Sequence, residues 1–156
     1  MQPYIIYLHS VIRYFILLFA LISTILGLAG VLSKKDYRKN LRTSSLLLMI
    51  FCDLQLLLGL SLYYLKVVAA GMFSGGDLMT DPGKRFWAVE HSFGMIVAIL
   101  MVHLGYNFVK RTEKTDKMQK RVFWCIFIAL AIFVAMIPWQ GKQVVGRPNV
   151  PVLNVQ

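Results

Sequence analysis

A chain of 156 residues with 58% hydrophobic and only 15% charged residues departs from an ordinary soluble domain, which carries about 45–50% and about 25%. One domain of this length exposes too much of itself to hide so much apolar surface. Soluble, disordered, collagen-like and disulfide-stapled secreted classes are therefore excluded, and an integral membrane protein remains. The net charge is +10, but five of the 17 basic residues fall in 33–44 and six in 110–121, each between apolar runs. Such clusters read as cytoplasmic loops under the positive-inside rule, with anionic headgroups in reach, and not as a nucleic-acid surface.

Four apolar runs are long enough to cross about 30 Å of hydrocarbon as helices. They are continuous and not alternating, which excludes a β-barrel. Span one covers 4–32. It has no basic start and is too long for a signal-peptide core, so it is expected to remain in the mature protein. One stripe of it carries His9, Arg13, Ile16, Ala20, Ser23 and Gly27, whose small members let a neighbouring helix approach closely. Phe15, Leu18, Phe19 and Leu26 point elsewhere. The first basic loop comes next, with Lys34, Lys35, Arg38, Lys39 and Arg42.

Span two covers 45–70 and contains Asp53. Lys66 lies near its outer end, where it can snorkel, and is assigned no role. The 71–85 connection, GMFSGGDLMTDPGKR, is Gly-rich. Its Asp81-Pro82 has the form of an N-cap followed by proline at the first helical position, so the third helix should begin near Pro82. Span three covers 86–109 and carries Glu90, His91 and His103. The stripe His91, Met95, Ala98, Val102 and Gly105 runs along one face. The second basic loop holds Lys110, Arg111, Lys114, Lys117, Lys120 and Arg121. Span four covers 122–139, has no ionisable residue and forms a wall of the bundle. Trp87 and Trp139 mark outer ends, as interfacial aromatics do. The tail, 141–156, is expected to be extended on the outer face.

The expected fold is a single all-α unit over 1–156, an up-down bundle of four transmembrane helices with both termini on the outer face. Cys52 and Cys125 fall in the inner halves of spans and should not form a disulfide. The absence of a CxxCH pattern excludes covalent c-type haem.

Ionisable groups and histidines are costly in lipid, and a functional site is the default reading where they occur. They are His9, Arg13, Asp53, Glu90, His91 and His103. His9 and His91 each lie about five residues inside an outer end, so both sit about 7–8 Å deep. Arg13 is one turn below His9, and Glu90 is beside His91. These four are expected to form one outer polar cluster, in which Glu90 can pair with Arg13. His103 lies about 18 Å deeper than His91 and about 120° around the helix. Asp53 is at a similar depth, and an Asp53–His103 pair would lower the cost of burying either.

Several chemistries suit the outer cluster. Two imidazoles at one depth on separate helices are axial ligands for haem b, with Arg13 available to a propionate. His9, Glu90 and His91 are also a ligand set for non-haem iron or zinc, although Glu90 and His91 diverge by about 100° on a helix. A histidine beside a charge can instead hydrogen-bond a quinone and exchange protons. The same residues can also simply fix helix packing.

The segments LHSVIRY (8–14), DLQLLLGLSLYY (53–64), FWAVEHSFGMIVAILMVHLG (86–105) and IPW (137–139) resemble a family of small four-helix bacterial membrane proteins labelled cytochrome b-like. The resemblance covers essentially the whole chain and rests on His9-Ser10, Asp53-Leu54-Gln55, Glu90-His91 and His103-Leu104-Gly105. More distantly the chain resembles haem-bearing anchor bundles of respiratory enzymes. The resemblance implies a multi-pass protein of the bacterial cytoplasmic (inner) membrane. It implies a haem b electron carrier or redox anchor subunit, with His9 and His91 as ligands and quinone as an exchange partner. Arg13 and Glu90 then bind or orient the cofactor, and Asp53 with His103 forms an inner polar pair. The competing expectation is a haem-free accessory subunit packed against a larger membrane complex. Either is an electron carrier or accessory component and not a stand-alone enzyme.

Overall fold

The computed structural model describes residues 2–33, 37–110, 116–141 and 144–146. Four helices make up the bundle: α1 (Gln2–Ser33), α2 (Arg38–Val68), α3 (Pro82–Lys110) and α4 (Asp116–Met136). All four are long and apolar enough to cross a membrane. A helix satisfies its own backbone N–H and C=O groups, which is what a long apolar run needs where no water can do so. Lys34, Lys35, Arg111, Lys114, Lys142 and Arg147, and the tail beyond 146, lie outside the described residues.

The ends reflect local chemistry. The α3 helix begins at Pro82 as expected, because the Asp81 carboxylate accepts from Gly83 N at 2.7 Å and from Lys84 N at 3.0 Å. The cap satisfies two backbone donors that have no intrahelical partner. At its other boundary α4 stops at Met136, short of the expected 139. Pro138 disfavours the helical conformation of the residue before it. The Trp139 indole then donates to the Val134 carbonyl at 2.8 Å, satisfying one acceptor of the last turn. Polar residues carry α2 and α4 further toward their basic ends than hydropathy indicates, to Arg38 and Asp116.

The helices form a closed ring in which α1 packs on α2 and α4, and α3 packs on α2 and α4. Cross-contacts fix the antiparallel register. Ser23 donates to Ser44 at 2.9 Å between α1 and α2. Gly27 lies against Phe123, where a Cβ would stand 3.3 Å from the Phe123 backbone. Gly105 meets Ile126, a Cβ there falling 3.1 Å from that side chain. Small residues thus sit where helices touch, as the two sequence stripes require. Ile16, Ala20, Ser23, Ala98 and Val102 are buried, whereas Leu57, Phe93 and Leu100 are more than half exposed. Large apolar side chains on the outside and small ones inside suit a bundle in contact with lipid. Phe19 and Leu26, off the small-residue stripe, are partly buried against the core, and Phe19 stacks on Phe51 at 5.6 Å.

Two helices depart from α geometry at the end of the bundle that carries the N-terminus. The last turn of α2, Tyr64–Val68, and the Phe86–Glu90 segment of α3 are π-helical. Each widens the helix by about one residue and rotates the residues beyond it against a regular α pattern.

Candidate functional site

A cavity of about 450 Å³ lies between the four helices at this N-terminal end. Its volume is in the range of ordinary small-molecule and cofactor sites. The walls are mainly apolar. His9, Arg13, Gln55, Lys66, Trp87 and His91 contribute polar groups to it.

His9 projects from α1 and His91 from α3, helices that face each other across the ring. Their ring centroids are 6.5 Å apart, with planes tilted by 57°. A metal–imidazole bond is about 2 Å long, and a ring nitrogen lies about 1 Å from its ring centre. Two imidazoles on one metal therefore have centroids about 6 Å apart. The observed centroid separation is close to that value. Gly59 of α2 gives His9 its place: a Cβ there would stand 3.5 Å from His9 Cε1.

The hydrogen bonds around the two rings differ. His91 Nδ1 lies 3.0 Å from the Met136 carbonyl, which can only accept. The Nδ1 proton donates to it, which fixes the orientation of the ring. Phe86 and Trp87 pack on the same ring at 5.7 and 5.5 Å. His9 Nδ1, by contrast, is buried with no hydrogen-bond partner among the described residues, and so is Gln55 Oε1. Buried polar atoms are rarely left so. Gln55 donates its amide to the His9 carbonyl at 2.8 Å, which ties α2 to α1 at the level of His9. Tyr63 donates to the Ala88 carbonyl at 3.2 Å and ties α2 to the π turn that precedes His91.

Arg13 lines the cavity as expected. Its guanidinium lies 5.0 Å from the Tyr14 ring and donates to the Tyr14 hydroxyl at 3.4 Å. Glu90 does not join the cluster. It is exposed and ion-paired with Arg85, Nε to Oε1 at 2.7 Å. Adjacent helical residues diverge by about 100°, so with His91 turned inward its predecessor is turned out. The expected Arg13–Glu90 proximity is thereby corrected. A three-ligand site of His9, Glu90 and His91 is also not assembled: among the described residues no three His, Cys, Asp or Glu side chains are grouped to hold a metal ion. Arg85 in addition donates to the Met79 carbonyl at 3.2 Å, clasping the connection onto α3.

Asp53 and His103 do meet, with Nε2 to Oδ1 at 3.2 Å. His103 Nδ1 also lies 2.9 Å from the Ile99 carbonyl of its own helix. This pair bridges α2 and α3 on the outer surface of the bundle, with side chains 49% and 38% exposed. Cys52 and Cys125 are both free thiols.

Two cavity residues are not evident from the chain's pattern. Gln55 stands in the Asp53-Leu54-Gln55 motif, but its pattern gives it no place in a cavity. Lys66 is not legible at all, since a lysine near a helix end normally reaches for the interface; the π turn it sits in belongs to the cavity wall. Compared with known proteins, the chain matches no family model, no curated protein and no solved structure.

Proposed function

We propose that the chain is a multi-pass protein of the bacterial cytoplasmic membrane that binds haem b between His9 and His91 and carries electrons within the membrane. It acts as a b-type-cytochrome-like carrier or redox anchor subunit, with quinone or a larger membrane complex as exchange partner. Both basic connections face the cytoplasm and both termini face outward, in keeping with the positive-inside rule.

The observation that carries this reading is the 6.5 Å separation of two imidazoles from opposed helices across an apolar cavity. Haem b, when bound, supplies a reversible one-electron couple whose potential depends on its ligands and surroundings. The chain's own residues prepare the place. The Met136 carbonyl accepts from His91 Nδ1 and so orients the ring that would hold the iron. Gly59 makes room for His9. The wall is mainly apolar, and Arg13 places a positive charge at the inner side of the cavity.

The test is an absorption spectrum of the full chain purified in detergent from cells supplied with haem precursor, recorded oxidised and reduced. A Soret band with a sharp reduced α band is expected, and His9→Ala and His91→Ala should each abolish it. A folded, colourless wild-type preparation would overturn the proposal. A second reading, a haem-free accessory subunit, is favoured by one feature. The half-exposed Asp53–His103 pair lies among exposed leucines such as Leu54, Leu57 and Leu100, where a partner's polar group would relieve its cost in lipid.

A further inference from the structure

We propose that Lys66, at the mouth of the cavity, is the anchor for the carboxylates of the bound group, which therefore sits with its acid edge toward the N-terminal end of the bundle. This rests on the haem reading above and names the residue that orients the propionates.

Among the described residues, the cavity wall includes Arg13 and Lys66 but no Asp or Glu. Cations in an otherwise apolar wall favour an anionic occupant, because a charge in low dielectric is costly until it is matched. The two cations are not equivalent. Arg13 is already engaged with Tyr14 through its ring and hydroxyl. Lys66 has no hydrogen-bond or ion-pair partner among the described residues.

Depth separates them further. Gly59 lies level with His9, since the two are in contact range. Lys66 is seven residues on, about 10 Å closer to the N-terminal end, while Arg13 is four residues, about 6 Å, on the other side of His9. The two propionates of haem b leave the same edge of the macrocycle, so they reach one end of the cavity and not both. The π turn Tyr64–Val68 carries both Lys66, a half-buried residue of the cavity wall, and Val67, which is buried in it. The outer end is where solvent can share the charge. Arg13, at the inner end, is left as a fixed positive charge near the iron and not as a propionate ligand.

The experiment compares uptake of haem b and of its dimethyl ester, whose acid groups are blocked, by the detergent-solubilised full chain. Spectral titration is done with the wild type, Lys66→Gln and Lys66→Arg. Wild type should bind haem b about tenfold more tightly than the ester, as one charge-assisted contact of about 1.4 kcal/mol implies. Lys66→Gln should erase that preference by weakening haem b alone, and Lys66→Arg should restore it. Equal affinity of wild type for both compounds, or a loss in Lys66→Gln that is the same for both, would overturn the assignment. Failure of wild type to take up either compound would instead overturn the haem reading on which it stands.

Discussion

Two pairs that each contain a histidine lie in this bundle, and their surroundings make them opposites. His103 and Asp53 join neighbouring helices, and both ring nitrogens of His103 face an oxygen, at 2.9 and 3.2 Å. Nothing in that ring is left to bind a ligand. His9 and His91 come from opposed helices and face each other over a cavity, with His9 Nδ1 unmatched among the described residues. A histidine whose partners are all supplied by the protein is cross-bracing. One held in place with a nitrogen to spare is prepared for something that arrives later. Depth separates the two pairs, but what each can do follows from the accounting of their hydrogen bonds.

The strongest way to break this contrast is to delete the histidines region by region. His9→Ala and His91→Ala are expected to remove the reduced α band entirely, whereas His103→Ala should leave haem content within about twofold, judged by pyridine haemochrome assay per chain. The ranking rests on a lost iron ligand outweighing a lost brace. Loss of the band in His103→Ala with the helical circular dichroism intact would mean that the two regions are not separate.

A smaller effect is expected from filling the cavity without touching a ligand. At Gly59 a Cβ fits at 3.5 Å from His9 Cε1, and the branches of valine add bulk beside that contact. Overpacking of this kind costs about 1–3 kcal/mol, so Gly59→Val should lower haem affinity about tenfold or more. Gly59→Ala should be nearly silent, and equal losses for the two would show that the position does not set the ring.

The inner pair should show itself as a coupling in stability. Asp53→Leu and His103→Leu are expected to destabilise the bundle singly, and the double variant by less than the combined single losses. The coupling should be about 1 kcal/mol, in the range of hydrogen bonds between membrane helices. Denaturant titration in mixed micelles measures it, and strictly additive losses would deny the pair any structural role.

The smallest effect is expected in the connection that closes the N-terminal end. Lys84 donates to the Asp77 carboxylate and holds it below its ordinary value of 3.8. A depressed acid contributes its stability in full above the unfolded value and loses it as pH falls through the folded one. The connection should therefore resist proteolysis at neutral pH and loosen only as pH falls below 3.8. In Asp77→Asn that pH dependence should vanish, and its persistence would point to another carboxyl.

Much of this is legible in the chain itself, for identifiable reasons. Helix positions come from hydropathy because an apolar run must satisfy its own backbone. The Asp81-Pro82 start is local, since the cap and the helix lie within four residues. The equal depth of His9 and His91, and of Asp53 and His103, comes from counting at about 1.5 Å per residue. Glu90 departs from expectation because depth says nothing about azimuth. Its partner is Arg85, five residues earlier, across a π turn that a regular helix does not contain.

The sequence by itself determined the number of helices, their order and the depth of each polar residue, because these depend on composition and on distance along the chain. Only the tertiary structure decided which of those residues share a space. It set two π turns at the same end of the bundle, turned Lys66 and His91 to the cavity wall, turned Glu90 away, and left His9 and Gln55 with atoms to spare. Facing depends on how four helices rotate against one another, and small residues such as Gly27, Gly59 and Gly105 settle that rotation only when the neighbour they admit is already in place.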